Sequence, residues 1–326
     1  MKVFLTIDTE TWWFYDDFLD NHRSAVYGEV GGKQYGLPYQ LQLFRDHGLK
    51  ANFFVEPLFT LSSGMDPLSE MVASIQNAAQ DVQLHIHTEW LERTGKNFLL
   101  SGQTGDNISE FSLGDQVELI ANAKHLLQQA GAENITAFRA GNYGANADTL
   151  LALAQNGIYQ DTSYNYCYLD AECKLRMERP LYQPCRVGEI IEYPITFFED
   201  FPGHFRHLQV TACSSSEMEH VLNTALAQNW GHVVVVLHTF ECVQRLNSSG
   251  RHRVDHIVLR RLKNLCRFLD RNRDRFSTEL FSEQPSADLA TSEVTRAPRS
   301  KVRYFVQRQL QQVYRRTFDL PMLHRS

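Results

Sequence analysis

The chain has 326 residues, of which 43% are hydrophobic and 21% charged; this supports a sizeable core and excludes a disordered or collagen-like polymer. No stretch approaches the roughly 18 to 20 uninterrupted apolar residues of a membrane span. The net charge of −6 is uneven: residues 285–326 hold eight Arg/Lys against three acids, a tail of +5 that leaves −11 to the body, so nucleic acid is not expected as a partner.

The first predicted element is a strand over Val3–Ile7, apolar and β-branched, ending in Asp8-Thr9-Glu10. A helical pattern over Tyr39–His47 stops at Gly48, and Ala51–Val55 is a second strand. Asp66-Pro67 opens a helix to about Gln80 in N-cap and first-turn positions. Val82–His87 is a strand, Leu113–Gln129 a helix ending at Gly131, Ile135–Phe138 a strand, and Asn146–Gln155 a helix ending at Gly157. A short segment, Ile158–Gln160, ends in Asp161. The pattern loosens between Tyr164 and Phe205. It resumes with a strand at Leu208–Ala212, a helix at Ser216–Gln228, a strand at His232–His238 and a helix at His256–Asp270. Strands separated by such helices indicate βαβ units and a parallel sheet, and about seven units fit one α/β, barrel-like domain over residues 1–282. Residues 283–298 read as a linker and 299–326 as a tail. Within it, 299–316 form a basic amphipathic helix with Val302, Val306, Leu310 and Val313 on one face. That face is expected either against the body or as a contact for a membrane surface or partner protein.

Six cysteines at 167, 173, 185, 213, 242 and 266 contain no CxxC, which speaks against a zinc knuckle, and their density is too low for a disulfide scaffold. The N-terminal run enters its strand without an h-region and cleavage site, so the expected setting is cytoplasmic and reducing.

Reactive groups in parallel α/β folds gather at the C-terminal ends of strands. Those ends carry Asp8 and Glu10, His85 and His87 followed by Glu89, Arg139, Asp161, and His238. Two residues apart on a strand, His85 and His87 point the same way, as do Asp8 and Glu10. Imidazole pairs of this spacing suit one metal ion, and Glu89 is a further candidate ligand. Trp12, Trp13 and Trp90 follow strand ends, where they can stack on sugars or pack the rim.

These residues resemble the polysaccharide deacetylases with the NodB-homology domain, carbohydrate esterase family 4, and are similar to its WalW-like branch of lipopolysaccharide biosynthesis. The resemblance is carried by Leu5-Thr6-Ile7-Asp8-Thr9-Glu10, Leu49-Lys50-Ala51-Asn52-Phe53-Phe54-Val55, Leu84-His85-Ile86-His87, Phe138-Arg139-Ala140-Gly141-Asn142-Tyr143-Gly144 and Val235-Val236-Leu237-His238, and covers roughly residues 1–280. The sequence departs from the usual pattern in three places: Thr9 replaces the second aspartate, H-x-H replaces H-x-x-x-H, and the third motif lacks its proline.

The resemblance implies a distorted (β/α)7 barrel of the NodB type with a C-terminal helical tail, hydrolysing N-acetyl groups on a sugar. It implies a divalent metal, zinc by preference, on Glu10, His85 and either His87 or Glu89, with His87 favoured as a neutral imidazole. Asp8 is then the base and His238 the acid. Arg139 orients Asp8, Asp161 tunes the charge network or orients His238, and Tyr143 and Trp90 meet the substrate. A backbone N–H near Tyr143 would bind the oxyanion. The implied substrate is an N-acetylated glycan or lipid-linked sugar, met in the cytoplasm or at the inner membrane. Two other readings use the same residues: a metal-dependent amidohydrolase on a C–N bond outside polysaccharides, and a catalytically degenerate glycan-binding or biosynthesis-complex protein.

Overall fold

The computed structural model describes residues 1–11, 18–245, 252–284 and 294–319. The strands that matter are β1 (Lys2–Thr9), β2 (Asn52–Val55), β3 (Asp81–Ile86), β4 (Ala137–Ala140), β5 (Gln160–Asp161), β6 (Cys185–Val187), β7 (Ile190–Glu192), β8 (Phe197–Phe201), β9 (His204–His207) and β10 (His232–His238). Their order in the main sheet is β10-β1-β2-β3-β4-β5-β7-β6. Every pairing from β10 through to β7 is parallel; only β6 runs antiparallel, folded back on β7. The main helices are α1 (Leu37–Asp46), α2 (Asp66–Asn77), α3 (Glu89–Thr94), α4 (Leu113–Gln129), α5 (Ala147–Gln155), α6 (Ser215–Ala227), α7 (His256–Arg271) and α8 (Val302–Asp319).

Strand alternation divides the apolar side chains into two layers. Val3, Leu5, Ile7, Phe53, Val55, Leu84 and Val235 face the helices in the large core. Phe4, Phe54, Ala137, Ile191, Val234 and Val236 face the other side, where Tyr193 and Phe281 join them. Phe4 stacks on Phe281 at 4.6 Å. This inner cluster fills the concave side of the curled sheet, and the polar residues sit above it at the strand ends. Helix starts are capped as their sequences dictate: Asn146 with Thr149 and Ser214 with Glu217 form reciprocal capping boxes, and Asp255 accepts from the amides of Ile257 and Val258.

Two expectations change. The strand foreseen at Leu208–Ala212 is reduced to a bridge between Gln209 and Val236, because the neighbouring chain is committed to the β8–β9 hairpin. The loose region from Tyr164 to Phe205 contains β6 and β7, three residues each and too short for a periodic signal. The start of α8 is tied to the body by a bridge between Glu199 and Arg299. Most of the foreseen linker at 283–298, and Trp12 and Trp13, lie outside the described residues.

Candidate active site

Parallel register assembles the site from distant positions. Asp8 on β1 is level with His238 on β10 and with Phe54 on β2. His85 on β3 is level with Arg139 on β4. Glu10 and His87 lie just beyond their strands, on the same sides as Asp8 and His85. The result is a cavity of about 430 Å³ lined by Asp8, Glu10, His85, His87, Tyr143 and His238, with Asp106, Asn107, Ala140, Asn142, Tyr168, Glu172 and Gln209 completing the wall.

Two imidazoles and one carboxylate meet on one side. The nearest donor atoms of Glu10, His85 and His87 all lie within 4.8 Å of one another, and all three residues are buried. His85 Nδ1 lies 2.8 Å from the Arg139 carbonyl oxygen. Since a carbonyl can only accept, Nδ1 carries the proton and the Nε2 lone pair faces Glu10, 3.8 Å away. Burial pushes the His85 pKa down to about 4, so the ring is neutral, as ligation requires. His87 Nε2 contacts Glu10 Oε2 directly, and its Nδ1 lies 3.2 Å from Glu89. Burial opposes charge on His87, but Glu10 and then Glu89 outweigh it and raise its pKa well above the ordinary value. Burial likewise opposes ionisation of Glu10, and His87, followed by His238 and His85, overcomes it. A proton on His87 therefore neutralises Glu10 here, at the place where a divalent cation would do the same. The donor set fits such a cation, and Glu89 stands behind His87 as the carboxylate that orients it.

The opposite side holds Asp8 and His238. Arg139, fully buried, donates to Asp8 Oδ1 at 2.5 Å and to the Thr6 hydroxyl at 2.8 Å, with its guanidinium 4.5 Å above the Phe54 ring. Asp8 Oδ2 is left facing His238 Nε2 at 3.6 Å. The other ring nitrogen of His238 lies 2.9 Å from Glu241, which also accepts from Gln209 and Thr211. Burial works against a charged His238, but Glu241, with Asp8 and Glu10 behind it, raises the pKa to about 9.

Two foreseen roles are corrected. Asp161 accepts from the Ser163 hydroxyl at 2.7 Å and pairs with the buried Glu192 carboxyl; burial raises the pKa of both, so a proton holds the pair together. It is absent from the cavity wall, because β5 lies four strands from β1 while β10 lies next to it. The partner of His238 is Glu241, three residues on in the turn after β10. Its only sequence signal was a carboxylate at that spacing. Trp90 is also outside the wall: α3 begins immediately after the His87 loop and turns the indole into the outer core, its ring 6.4 Å from Phe59. The aromatic lining comes instead from Tyr143, stacked on Tyr168 at 5.6 Å, with His207 tilted against both.

The curled parallel sheet with its outer helices is the NodB-type fold. The chain is similar to a Mycobacterium smegmatis protein assigned as a polysaccharide deacetylase, with a TM-score of 0.52 and 16% identity over 92% of this chain and 93% of that one. A family 4 carbohydrate esterase from Streptomyces lividans, in complex with acetate, gives a TM-score of 0.45 at 11% identity, covering 90% and 97%. A family 4 pseudoenzyme from Bacillus anthracis gives 0.43 at 11%, covering 85% and 63%. At these values the Mycobacterium likeness alone bears on the fold. No family model and no curated protein sequence matches the chain.

Proposed function

We propose that the protein is a metal-dependent hydrolase that removes N-acetyl groups from a sugar of a cell-envelope polysaccharide or lipopolysaccharide precursor. One observation carries this reading: an aspartate clamped by a buried arginine faces a histidine across the same cavity that holds Glu10, His85 and His87. A divalent cation held by those three, zinc by the chemistry of two imidazoles and a carboxylate, supplies Lewis acidity beside the amide and makes water nucleophilic near neutral pH.

The chain's own groups do the rest. Arg139 occupies Asp8 Oδ1, so Oδ2 is the atom that takes a proton from the attacking water. His238 enters protonated and gives its Nε2 proton to the departing amine; Glu241 keeps that nitrogen turned into the cavity. A C–O bond forms, the C–N bond breaks, and acetate and the free amine leave. The backbone N–H at Tyr143 is the proposed oxyanion donor, and the Tyr143–Tyr168 stack offers a face for a sugar ring. All six cysteines are free thiols, which suits a cytoplasmic, reducing compartment and a lipid-linked or nucleotide-linked substrate. The test is acetate release from N-acetylated cell-envelope glycans with and without chelator. Metal-dependent release supports the proposal. Equal release after chelation, or release only from formylated or cyclic amides, rejects it.

A further inference from the structure

Helix α8 docks by its polar side. Arg308, fully buried, donates to Asp200 at 2.5 Å and to Glu217 at 3.1 Å. Gln311 accepts from Arg261 on α7 at 2.7 Å, and Arg315 donates to Asp255, the cap of α7, at 2.8 Å. The apolar stripe therefore faces out: Val302, Val306 and Leu310 are 60%, 48% and 66% exposed, and Phe201, beside Phe305, is 50% exposed. Cations surround this ridge. Lys301, just before α8, and Arg303 on it are exposed, and the sequence from Val294 to Val313 contains no acid. The outward face of α7 repeats His256, Arg260, Lys263, Arg267 and Arg271, all exposed. A groove of about 470 Å³ between the helices is lined by His256, Arg260, Gln307, Leu310 and Gln311, with Ile257 at its base.

We propose that this face is a docking surface for an anionic lipid bilayer. A row of exposed aliphatic side chains flanked by cations is the pattern that inserts among a bilayer's acyl chains while its charges stay at the headgroups. The cationic rim matches anionic headgroups, and it is concentrated here although the body of the molecule is acidic. The α7–α8 groove, with Arg260 at its edge, has the size and donors for a headgroup phosphate. The surface also lies near the site: the amide of Asp255, beside His256, donates to the carbonyl of Cys242 in the turn that follows His238, at 2.9 Å. Given the deacetylase reading, docking there would bring the cavity to sugars carried on lipid; the docking itself does not depend on that reading.

The test is co-sedimentation of the full chain with vesicles of phosphatidylcholine alone or mixed with phosphatidylglycerol. Expected is binding to the anionic vesicles that weakens with salt, and that falls about tenfold or more in Leu310→Glu and in Arg260→Glu/Lys263→Glu. Thermal melts of both variants check folding, and if one fails to fold the other carries the test. No binding to anionic vesicles, binding insensitive to the folded variants, or a solution dimer that Leu310→Glu dissociates overturns the proposal. Acetate release from a soluble glycan is measured in parallel, so loss of docking and loss of chemistry are read separately.

Discussion

At the residue scale the site contains two carboxylates in different settings, set apart by what faces each. Asp8 has one oxygen tied to Arg139 and the other directed at His238; Glu10 is turned toward two imidazoles. Asp8→Asn is expected to lower turnover at least about a thousandfold while leaving metal content unchanged, because the amide keeps the shape and loses the proposed base. His85→Ala should instead lose the metal, since its unprotonated Nε2 is one of the three proposed ligand atoms. Metal analysis of the purified variants beside acetate-release rates separates the two. Glu241→Gln should bring the His238 pKa down from about 9 by removing its nearest negative charge, and NMR titration of the ring reads this directly. His232 makes a separate prediction for stability. Burial, helped by the charges of Lys2 and the N-terminus, lowers its pKa from 6.5 to about 4. The unfolded chain therefore binds the proton first. The contribution of His232 is complete above pH 6.5, falls as pH drops toward 4, and levels off below. His232→Gln should flatten that part of the curve relative to the parent, as measured by urea midpoints across pH.

At the element scale the connections matter as much as the strands. The turn after β4 must pass very close to the turn after β3. A Cβ on Gly141 would lie 2.6 Å from the Ile86 carbonyl and 2.9 Å from the His87 ring, so Gly141→Ala should push His87 off its position and weaken metal binding, measured by titration with a chromophoric chelator as competitor. Helix α8 is anchored by a charged side chain outside its apolar stripe. The hydrophobic pattern pointed to Val302, Val306 and Leu310 as the docking or contact face, whereas Arg308 is the buried residue, because Asp200 and Glu217 wait opposite it. Removing the guanidinium leaves two buried carboxylates with fewer partners. Arg308→Met is therefore expected to cost about 3 kcal/mol in denaturant unfolding, while Val306→Ser on the exposed stripe should cost little.

At the scale of the whole molecule the site joins the ends of β1, β3, β4 and β10, and a ligand held there ties them together. Excess zinc should raise the thermal midpoint of the native chain, because the folded state alone brings Glu10, His85 and His87 within reach of one another. His85→Ala should show no such rise. The alternation of strands and helices, the polar residues at strand ends and the paired histidines were legible along the chain, since side-chain period and strand-end chemistry are local properties. Sheet order and docking were not, because they depend on which surfaces find each other. The order placed β10 beside β1 and moved Asp161 away from His238 toward Glu192. Glu89 was a candidate ligand by spacing and became the partner of His87 Nδ1 once the loop closed on Glu10. Burial energy and charge pairing decided which face of α8 turned inward, and two carboxylates on other elements outweighed four aliphatic side chains on its own.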